Sequence, residues 1–297
     1  MSPVHRQRGM AVIAALLVVV AASALAAAVI ERQGLMANIL ITERDRIQAS
    51  WLLRGGLDWS RVILLMDARN SPTTRLDGVW AQPVLGLPVG TADDPDRALF
   101  SGQVEDEQSK FNLRNLAERG RIDPRELEAL ESLLRWLDID PKLAKVMAQR
   151  VAQSQYNENG PPRAVGLRGI DDLRLLDGFT ARIIDTLQPF VTVLPVATTI
   201  NANTASAEVL GAVVQELGLA GARELVVQRD KGMWFTNRGD FINRVRIKEP
   251  DAGQRISVNS NWFRVTGEVT VGATLVSLRA LLHRANQGLA SVRWVTY

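Results

Sequence analysis

The chain has 297 residues, of which 46% are hydrophobic and 23% charged, so it can bury a core and does not have the composition of a disordered protein. It has no cysteine, which excludes disulfides, thiolate metal ligands and a cysteine nucleophile, and its two histidines are too few for a histidine metal cluster. The 35 basic and 32 acidic side chains nearly balance, so nothing in the net charge indicates a nucleic-acid partner.

The first predicted element is a membrane-spanning helix. Met10 to Ile30 contains no charged residue and follows a short basic head that includes Arg6 and Arg8. At 1.5 Å per residue this helix would be roughly 31 Å long, which is enough to cross the hydrocarbon layer of a bilayer. Because basic flanks stay in the cytoplasm, we expect residues 1–9 to be cytoplasmic and the chain from Glu31 onward to lie outside.

The junction between Gly9 and Met10 is similar to the cleavage site of a type IV prepilin, where a prepilin peptidase removes a short leader and keeps the helix. Two other fates stay open. A secretory peptidase could cut at the small residues of Ala24–Ala28 and discard the helix, or the helix could remain as an uncut signal anchor. Loss of residues 1–9 would leave 33 basic against 32 acidic side chains.

The helix is predicted to continue through residues 31–69. Apolar residues recur there with helical spacing, at Leu35, Ile39, Ile47, Trp51, Trp59, Val62, Ile63 and Met66. We expect the face of Leu35, Ile39, Ile47 and Trp51 to pack against helices of neighbouring subunits. Two separate helices, broken at Gly55 and Gly56, are the alternative.

Two segments predict a small β region, at residues 70–111 and 250–297. The first reads as loops around an edge strand in Pro83–Val89, followed by a strand in Ala98–Glu105. The second predicts strands within Ser257–Val271, Ala273–His283 and Leu289–Val295. The acidic run Glu105–Glu107, near the end of the first segment, is expected to be a solvated loop.

The segment between the β strands is predicted to be helical and to contain two related halves, at residues 112–199 and 200–249. Each half opens on paired asparagines, in Phe111–Asn115 and in Ile200–Thr204, which we expect to cap helices. Each is then expected to contain a hairpin between two helices, at Leu137–Pro141 and at Leu217–Gly221.

These motifs, together with Leu173–Gly178 and Leu194-Pro195, resemble the type II secretion protein K family over essentially the whole chain. That family comprises the largest minor pseudopilin of the general secretory pathway. The resemblance implies an α+β fold, with a type IV pilin-like N-terminal long helix packed on a small antiparallel sheet and a large all-α insertion of two SAM-like subdomains. It also implies a non-enzymatic role at the tip of a periplasmic pseudopilus, which caps the filament and helps to initiate its assembly.

The same resemblance implies a set of partners and a location. The partners are the minor pseudopilins I and J, the major pseudopilin, the prepilin peptidase and the inner-membrane secretion platform, with secreted cargo or the outer-membrane secretin as further candidates. The location is the inner membrane, crossed once, with most of the chain in the periplasm.

Ala14 departs from the general prepilin pattern, which has a glutamate five residues after the cut. That glutamate pairs with the amino terminus of the subunit ahead in the filament. A carboxylate in hydrocarbon is costly without a partner, and a leading subunit has no subunit ahead of it. Alanine therefore fits a subunit at the tip, although it is also an ordinary residue for a membrane helix.

Calcium is not predicted for this chain, although members of the family commonly bind it in the helical insertion. By chain order their acidic segment would fall near residues 151–158, where Glu158 is the one carboxylate left, and calcium needs six to eight oxygen ligands. Asp138 and Asp140 imitate the motif in the first hairpin. These three residues are weak calcium candidates, and no other cofactor is expected.

Two other functions were weighed. A minor pilin of a type IV pilus would share the N-terminal helix but not the paired helical insertion. A membrane-anchored helix-hairpin-helix DNA-binding protein would use the hairpin at Gly218, where a Gly-Leu-Ala sequence replaces the usual Gly-hydrophobic-Gly. Enzymatic activity is not expected, because His283 is the only histidine after processing and no nucleophile elbow or phosphate loop is present.

Overall fold

The computed structural model describes residues 5–91, 94–156, 160–247, 253–285 and 288–297. The helices are α1 (His5–Asn70), α2 (Pro124–Trp136), α3 (Lys142–Gln153), α4 (Ala181–Leu187), α5 (Ala207–Val213), α6 (Gly218–Asp230) and α7 (Arg238–Val245). The strands are β1 (Val84–Thr91), β2 (Asp94–Asp106), β3 (Phe111–Asn112), β4 (Ala117–Glu118), β5 (Arg121–Ile122), β6 (Val191–Thr192), β7 (Ile200–Asn201), β8 (Ile256–Ser257), β9 (Trp262–Val271), β10 (Thr274–His283) and β11 (Ser291–Thr296).

Helix α1 is continuous over 66 residues, so the alternative of two helices broken at Gly55 and Gly56 is wrong. Buried Leu53 and Leu57 flank the two glycines, and their packing offsets the cost of glycine within a helix. The helix ends at Asn70, because Pro72 disfavours helical backbone at the residue before it.

The described residues fall into two compact units. The smaller unit comprises Met1–Arg54, Gly86–Phe100 and Glu268–Ser277. Its buried apolar side chains are Ala49, Leu53, Ala98, Val269 and Val271. It contains the membrane-spanning candidate together with short pieces of four strands.

The larger unit comprises Gly55–Leu85, Ser101–Gly267 and Leu278–Tyr297. It contains the end of α1 and all the other helices, which share one apolar core. In this core α2 packs against α3 and α5, and α5 packs against α6. An added Cβ at Gly211 in α5 would lie 2.8 Å from the Gly218 carbonyl oxygen and 3.1 Å from the Trp136 ring, so this close packing requires glycine.

The main sheet has the strand order β1-β2-β9-β10-β11. The predicted edge strand is confirmed in β1, which tolerates Pro88 because an edge strand can lack an amide donor. Strands β10 and β11 pair antiparallel from Arg279 opposite Thr296 to His283 opposite Ser291. Together with the long helix and the helical block, this sheet confirms the predicted α+β class.

The two helical halves are closed in the same way. Strand β3 pairs in parallel with β6, near the end of the first half, and β7 pairs in parallel with β8, which lies shortly after the end of the second half. Asn112 and Asn201 occupy the second position of the opening strands, and both are fully buried. Their matching positions support the sequence interpretation of two related halves.

The predicted helix caps are wrong in detail. Asn112 does cap a short 3-10 helix, at Leu113–Leu116, but Asp123 caps α2 and Ser206 caps α5. Asn201 and Asn203 instead bind distant backbone and side-chain groups, which local sequence could not indicate.

The second predicted hairpin is placed too late in the chain, because the turn between α5 and α6 lies at residues 214–217. The structure places Gly218–Asp230 in helix α6, whereas the first hairpin does separate α2 from α3 as expected. Gly218 adopts a φ of 57°, which glycine permits at little cost, and the chain turns there directly into the helix.

Candidate assembly surface and buried polar clusters

The apolar half of α1 has almost no packing partner within the chain. The large apolar side chains of Met10–Ile30 are 53–73% exposed. Helix α1 is also the one described helix that is long and apolar enough to cross a membrane, with a mean hydropathy of 2.8 over its most apolar window. Such exposure is stable only if lipid or other protein surrounds the segment.

The predicted processing residues lie in this helix. Gly9 and Met10 are both helical, whereas residues 1–4 of the predicted leader fall outside the described residues. Ala14 is exposed on the same apolar segment. A carboxylate at this position would therefore have no partner within the described chain.

The four predicted assembly residues are all exposed: Leu35 by 61%, Ile39 by 62%, Ile47 by 56% and Trp51 by 65%. They do not share one face of the helix, because at 3.6 residues per turn the direction of their side chains drifts by about 160° from Leu35 to Trp51. Leu35 and Ile39 point in nearly the same direction as the buried residues Ala49 and Leu53. Ile47 and Trp51 point away from that direction, so the exposed apolar surface covers two sides of α1.

The acidic pair Asp106 and Glu107, which was expected to be solvated, is buried, with 4% and 0% exposure. The expectation was wrong because the pair lies at the end of β2, with Asp106 as its last residue, where distant segments cover both side chains. Asp106 accepts hydrogen bonds from the hydroxyls of Ser260 (2.5 Å) and Thr204 (2.6 Å) and from the Asn201 side chain (3.1 Å). It also accepts one from the backbone amide of Gln108 at 2.8 Å.

Burial raises the pKa of Asp106, and the hydrogen bonds that it accepts oppose this shift only in part. No basic side chain contacts the Asp106 carboxylate among the described residues. This carboxylate thus joins strand β2 to the start of the second helical half and to the segment before β9 through neutral donors.

Glu107 is held in a different way, by two cations and a hydroxyl. Its carboxylate contacts Lys110 Nζ at 3.0 Å and an Arg264 guanidinium nitrogen at 2.8 Å. It also accepts a hydrogen bond from the Thr192 hydroxyl, in strand β6 at the end of the first helical half. The two residues of the acidic pair therefore contact one helical half each, Glu107 the first and Asp106 the second.

Arg284 forms a third buried cluster in the larger unit. Its guanidinium donates to the carbonyls of Leu64 (3.0 Å) and Ser260 (2.9 Å) and pairs with Asp67 at 3.0 Å. It also lies 4.8 Å from the ring centroid of Phe263. This arginine connects the end of α1 to the sheet residues around β9.

Of the weak calcium candidates, Asp138 and Asp140 belong to no metal-binding cluster among the described residues. Asp138 is exposed in the α2–α3 hairpin with a φ of 58°, and Asp140 accepts a hydrogen bond from the Lys142 amide at 2.9 Å. Glu158 lies outside the described residues. Among the residues that the structure does describe, no group of three histidine or acidic side chains could hold a metal ion.

Two amides of the hairpin considered for DNA binding already have backbone partners. The amide of Leu217 donates to the Val214 carbonyl at 3.0 Å, and that of Gly218 donates to the Gln215 carbonyl at 3.1 Å. A helix-hairpin-helix motif needs these amides for phosphate. This geometry does not support the DNA-binding alternative.

His283 is partly buried beside aromatic and basic groups. Its ring lies 4.5 Å from that of Trp262, and burial together with the Arg293 charge lowers its pKa. The hydroxyl of Ser291 donates to the His283 backbone carbonyl at 3.2 Å and not to the imidazole. This arrangement does not form a nucleophile and base pair.

Comparison with known proteins gives consistent matches. Two family models described as type II secretion system protein K match residues 109–196 and 200–259. The type II secretion system protein K of Pectobacterium carotovorum is 30% identical over 97% of this chain and 96% of that protein. Its counterpart in Klebsiella pneumoniae is 28% identical over 97% of this chain and 96% of its own length.

A solved structure supports the same fold. A chain in the crystal structure of the GspK-GspI-GspJ complex of the enterotoxigenic Escherichia coli type 2 secretion system matches with a TM-score of 0.65. The match covers 86% of this chain and 97% of that chain at 21% identity. At this identity the likeness establishes the fold alone.

Proposed function

This chain belongs to the type II secretion system protein K family, and from that membership we propose that it is a minor pseudopilin that caps the tip of the periplasmic pseudopilus. In this role it would help to initiate filament assembly for protein export across the outer membrane. The observation that carries the proposal is the long α1, whose first half exposes its apolar side chains. Membership of a family of structural pseudopilins also argues for a role without catalysis.

We further propose that Met10–Ile30 anchors the protein in the inner membrane, with the basic residues before it in the cytoplasm. The rest of the chain would then be periplasmic. A prepilin peptidase would cut between Gly9 and Met10 and leave α1 intact. The exposed side chains from Leu35 to Trp51 would pack against neighbouring pseudopilin helices, and their burial would supply assembly energy.

Ala14 supports the position at the tip. A charged side chain in the middle of a membrane helix costs about 2.5–3.5 kcal/mol unless it is paired. A subunit inside a filament can pair such a carboxylate with the subunit ahead of it, whereas the first subunit cannot. With alanine at residue 14, this chain avoids that cost in the leading position.

The proposed position at the tip also indicates which subunits lie beside this chain. The related solved structure is a GspK-GspI-GspJ complex, so we propose the minor pseudopilins I and J as neighbours of this chain. The major pseudopilin would follow below them, and the inner-membrane platform would support assembly. Contact with secreted cargo or with the outer-membrane secretin would occur through the folded residues after α1.

We propose that residues 112–199 and 200–249 act as two SAM-like subdomains inserted into a pilin-like β region, formed by residues 70–111 and 250–297. The acidic pair supports this assignment, because Glu107 and Asp106 fasten one half each to strand β2. A broad insertion of this kind would block addition of further subunits above the tip.

Intact-mass analysis of the protein from cells with and without prepilin peptidase tests the anchor. We expect loss of residues 1–9 and the gain of one methyl group only when the peptidase is present. Loss of the chain through Ala26 or Ala28 would contradict the proposal, because the protein would then be free in the periplasm. An unchanged mass in both strains would indicate a signal anchor instead.

A further inference from the structure

A pocket of about 530 Å³ in the larger unit has an apolar floor and a basic rim. The floor includes the buried side chains of Leu113, Val151 and Leu194. The rim includes Arg114 and Arg119, and Glu118 is the one carboxylate among the lining residues that the structure describes. Neither the membrane anchor nor the contacts proposed for α1 use this pocket.

Arg119 occupies a strained position at the rim. It is followed by Gly120 in the two-residue loop of the β4–β5 hairpin, with φ values of 50° for Arg119 and 76° for Gly120. Such loops favour asparagine, aspartate or glycine, because bulky side chains are disfavoured at positive φ. Strained residues of this kind are concentrated at binding and catalytic sites, so an arginine in this position indicates a role in binding.

The hairpin is fixed by one buried side chain. Gln155, which is 8% exposed, accepts a hydrogen bond from the Gly120 amide at 3.1 Å and donates one to the Ala117 carbonyl at 2.7 Å. Both contacts join the hairpin to the residues after α3. The loop that carries Arg119 is therefore held rigidly, which lowers the entropy cost of binding a ligand.

The two arginines differ in how much of their hydrogen-bonding capacity is used. A guanidinium nitrogen of Arg114 donates to the Ala117 carbonyl at 3.0 Å, which orients the side chain and leaves further donors available. The exposed guanidinium of Arg119 has no hydrogen-bond or ion-pair partner among the residues that the structure describes. Paired guanidinium groups are well suited to bind a carboxylate, which can accept two parallel hydrogen bonds.

We propose that this pocket binds an extended segment of another polypeptide through an acidic side chain. Arg119 and Arg114 bind the carboxylate, and aliphatic neighbours of the acidic residue lie on the floor formed by Leu113, Val151 and Leu194. The apolar floor and the carboxylate of Glu118 argue against a nucleic-acid backbone, which requires a continuous basic track.

Selection of phage-displayed random peptides on the full chain in detergent micelles tests the proposal. We expect the recovered peptides to be enriched in glutamate or aspartate beside aliphatic residues. The same selection on Arg119→Asn should lose that enrichment. Equal recovery of acidic residues on both proteins, or no acidic enrichment on the parent chain, would overturn the proposal.

The best peptide is then labelled, and its affinity for the variants is measured by fluorescence anisotropy. Loss of a charge-assisted hydrogen bond in Arg119→Asn should weaken binding by about tenfold or more. Glu118→Gln should strengthen binding, because it removes a like charge. Arg174→Asn is the matched control, since Arg174 is also exposed and is not among the pocket's lining residues. An equal loss of affinity in this control would indicate nonspecific attraction and contradict a defined site.

Thermal unfolding separates binding from folding. Asparagine suits the hairpin position better than arginine, so Arg119→Asn should melt at the same temperature as the parent chain or at a higher one. A lower melting temperature that accompanies the loss of binding would show that Arg119 has a structural role, and would overturn the assignment.

Discussion

The first half of α1 exposes apolar side chains, whereas the acidic pair Asp106–Glu107 buries charged ones. Each region departs from the usual pattern of apolar residues inside and charged residues outside. In α1, apolar side chains such as Val19 and Ile30 are 61% and 69% exposed, whereas the carboxylates of the acidic pair are almost completely buried. The acidic pair finds all its partners within the chain. None of the described residues covers this half of the helix, and an apolar surface of this kind needs lipid or other protein around it, so the two regions should respond differently to substitution.

The largest effect on folding is expected for Glu107→Ala. Removal of one member of a buried ionic cluster costs about 3–5 kcal/mol, because Arg264 would lose its carboxylate partner and Lys110 would keep only the more exposed Glu105. Urea unfolding of the full chain in detergent, followed by tryptophan fluorescence, measures this change. Glu105→Ala is the matched control, since the Glu105 side chain is 37% exposed and its pair with Lys110 contributes about 1 kcal/mol or less. An equal loss of unfolding free energy in the two variants would mean that the burial of Glu107 does not increase its contribution to stability.

Ala14→Glu is expected to cost less free energy than Glu107→Ala but to impair assembly strongly. An unpaired carboxylate in the bilayer costs about 2.5–3.5 kcal/mol, and a leading subunit could not pair it. Secretion of a type II substrate should fall, whereas Ala14→Leu should secrete normally. Urea unfolding of the folded residues after α1 should be the same in both variants. Normal secretion by Ala14→Glu would contradict the explanation given for the alanine.

The pH dependence of stability tests the burial of Asp106. Because burial raises the pKa of Asp106, the folded state binds its proton more tightly than the unfolded state does. The protonated form of Asp106 therefore stabilises the fold. This contribution increases as pH falls from the raised pKa of the folded state to the pKa of the unfolded chain, and it is lost as pH rises through the raised pKa. Relative to Asp106→Asn, the parent chain should gain stability as the pH is lowered from neutral toward the ordinary aspartate pKa of 3.8. A loss of relative stability over that interval would mean that the pKa of Asp106 is lowered instead.

The smallest effect on folding is expected for Trp51→Ala. Trp51 is 65% exposed, so its removal should change the free energy of unfolding by less than about 0.5 kcal/mol. Leu53, two residues away, is 1% exposed, and Leu53→Ala should cost about 2–5 kcal/mol. In cells, Trp51→Ala should still reduce copurification with neighbouring pseudopilins. Unchanged copurification would exclude Trp51 from the assembly surface.

The sequence predicted those features that depend on local periodicity. Helical spacing over residues 10–66 and alternation in β9 are repeated patterns, and the structure confirms both elements. The acidic pair was missed because Ser260 and Thr204 lie 154 and 98 residues away from Asp106 along the chain. One signal was available, since the two carboxylates directly follow a predicted strand. The helix after the second hairpin was predicted, but its start was placed too late, because Gly218 is compatible with either a hairpin or a helix start.

The drift of the exposed apolar residues around α1 has a consequence for assembly. Leu35 and Ile39 point toward one side of the helix, and Ile47 and Trp51 point toward another. Substitutions in the first pair and in the second pair should therefore impair contacts with different neighbouring subunits.

The most direct test of the central claim is the position of this chain on assembled pseudopili, determined by immunogold electron microscopy of sheared filaments with an antibody against residues 112–199. The account predicts gold at one end of each filament and none along its length. Labelling at regular intervals along the filament would contradict a role at the tip.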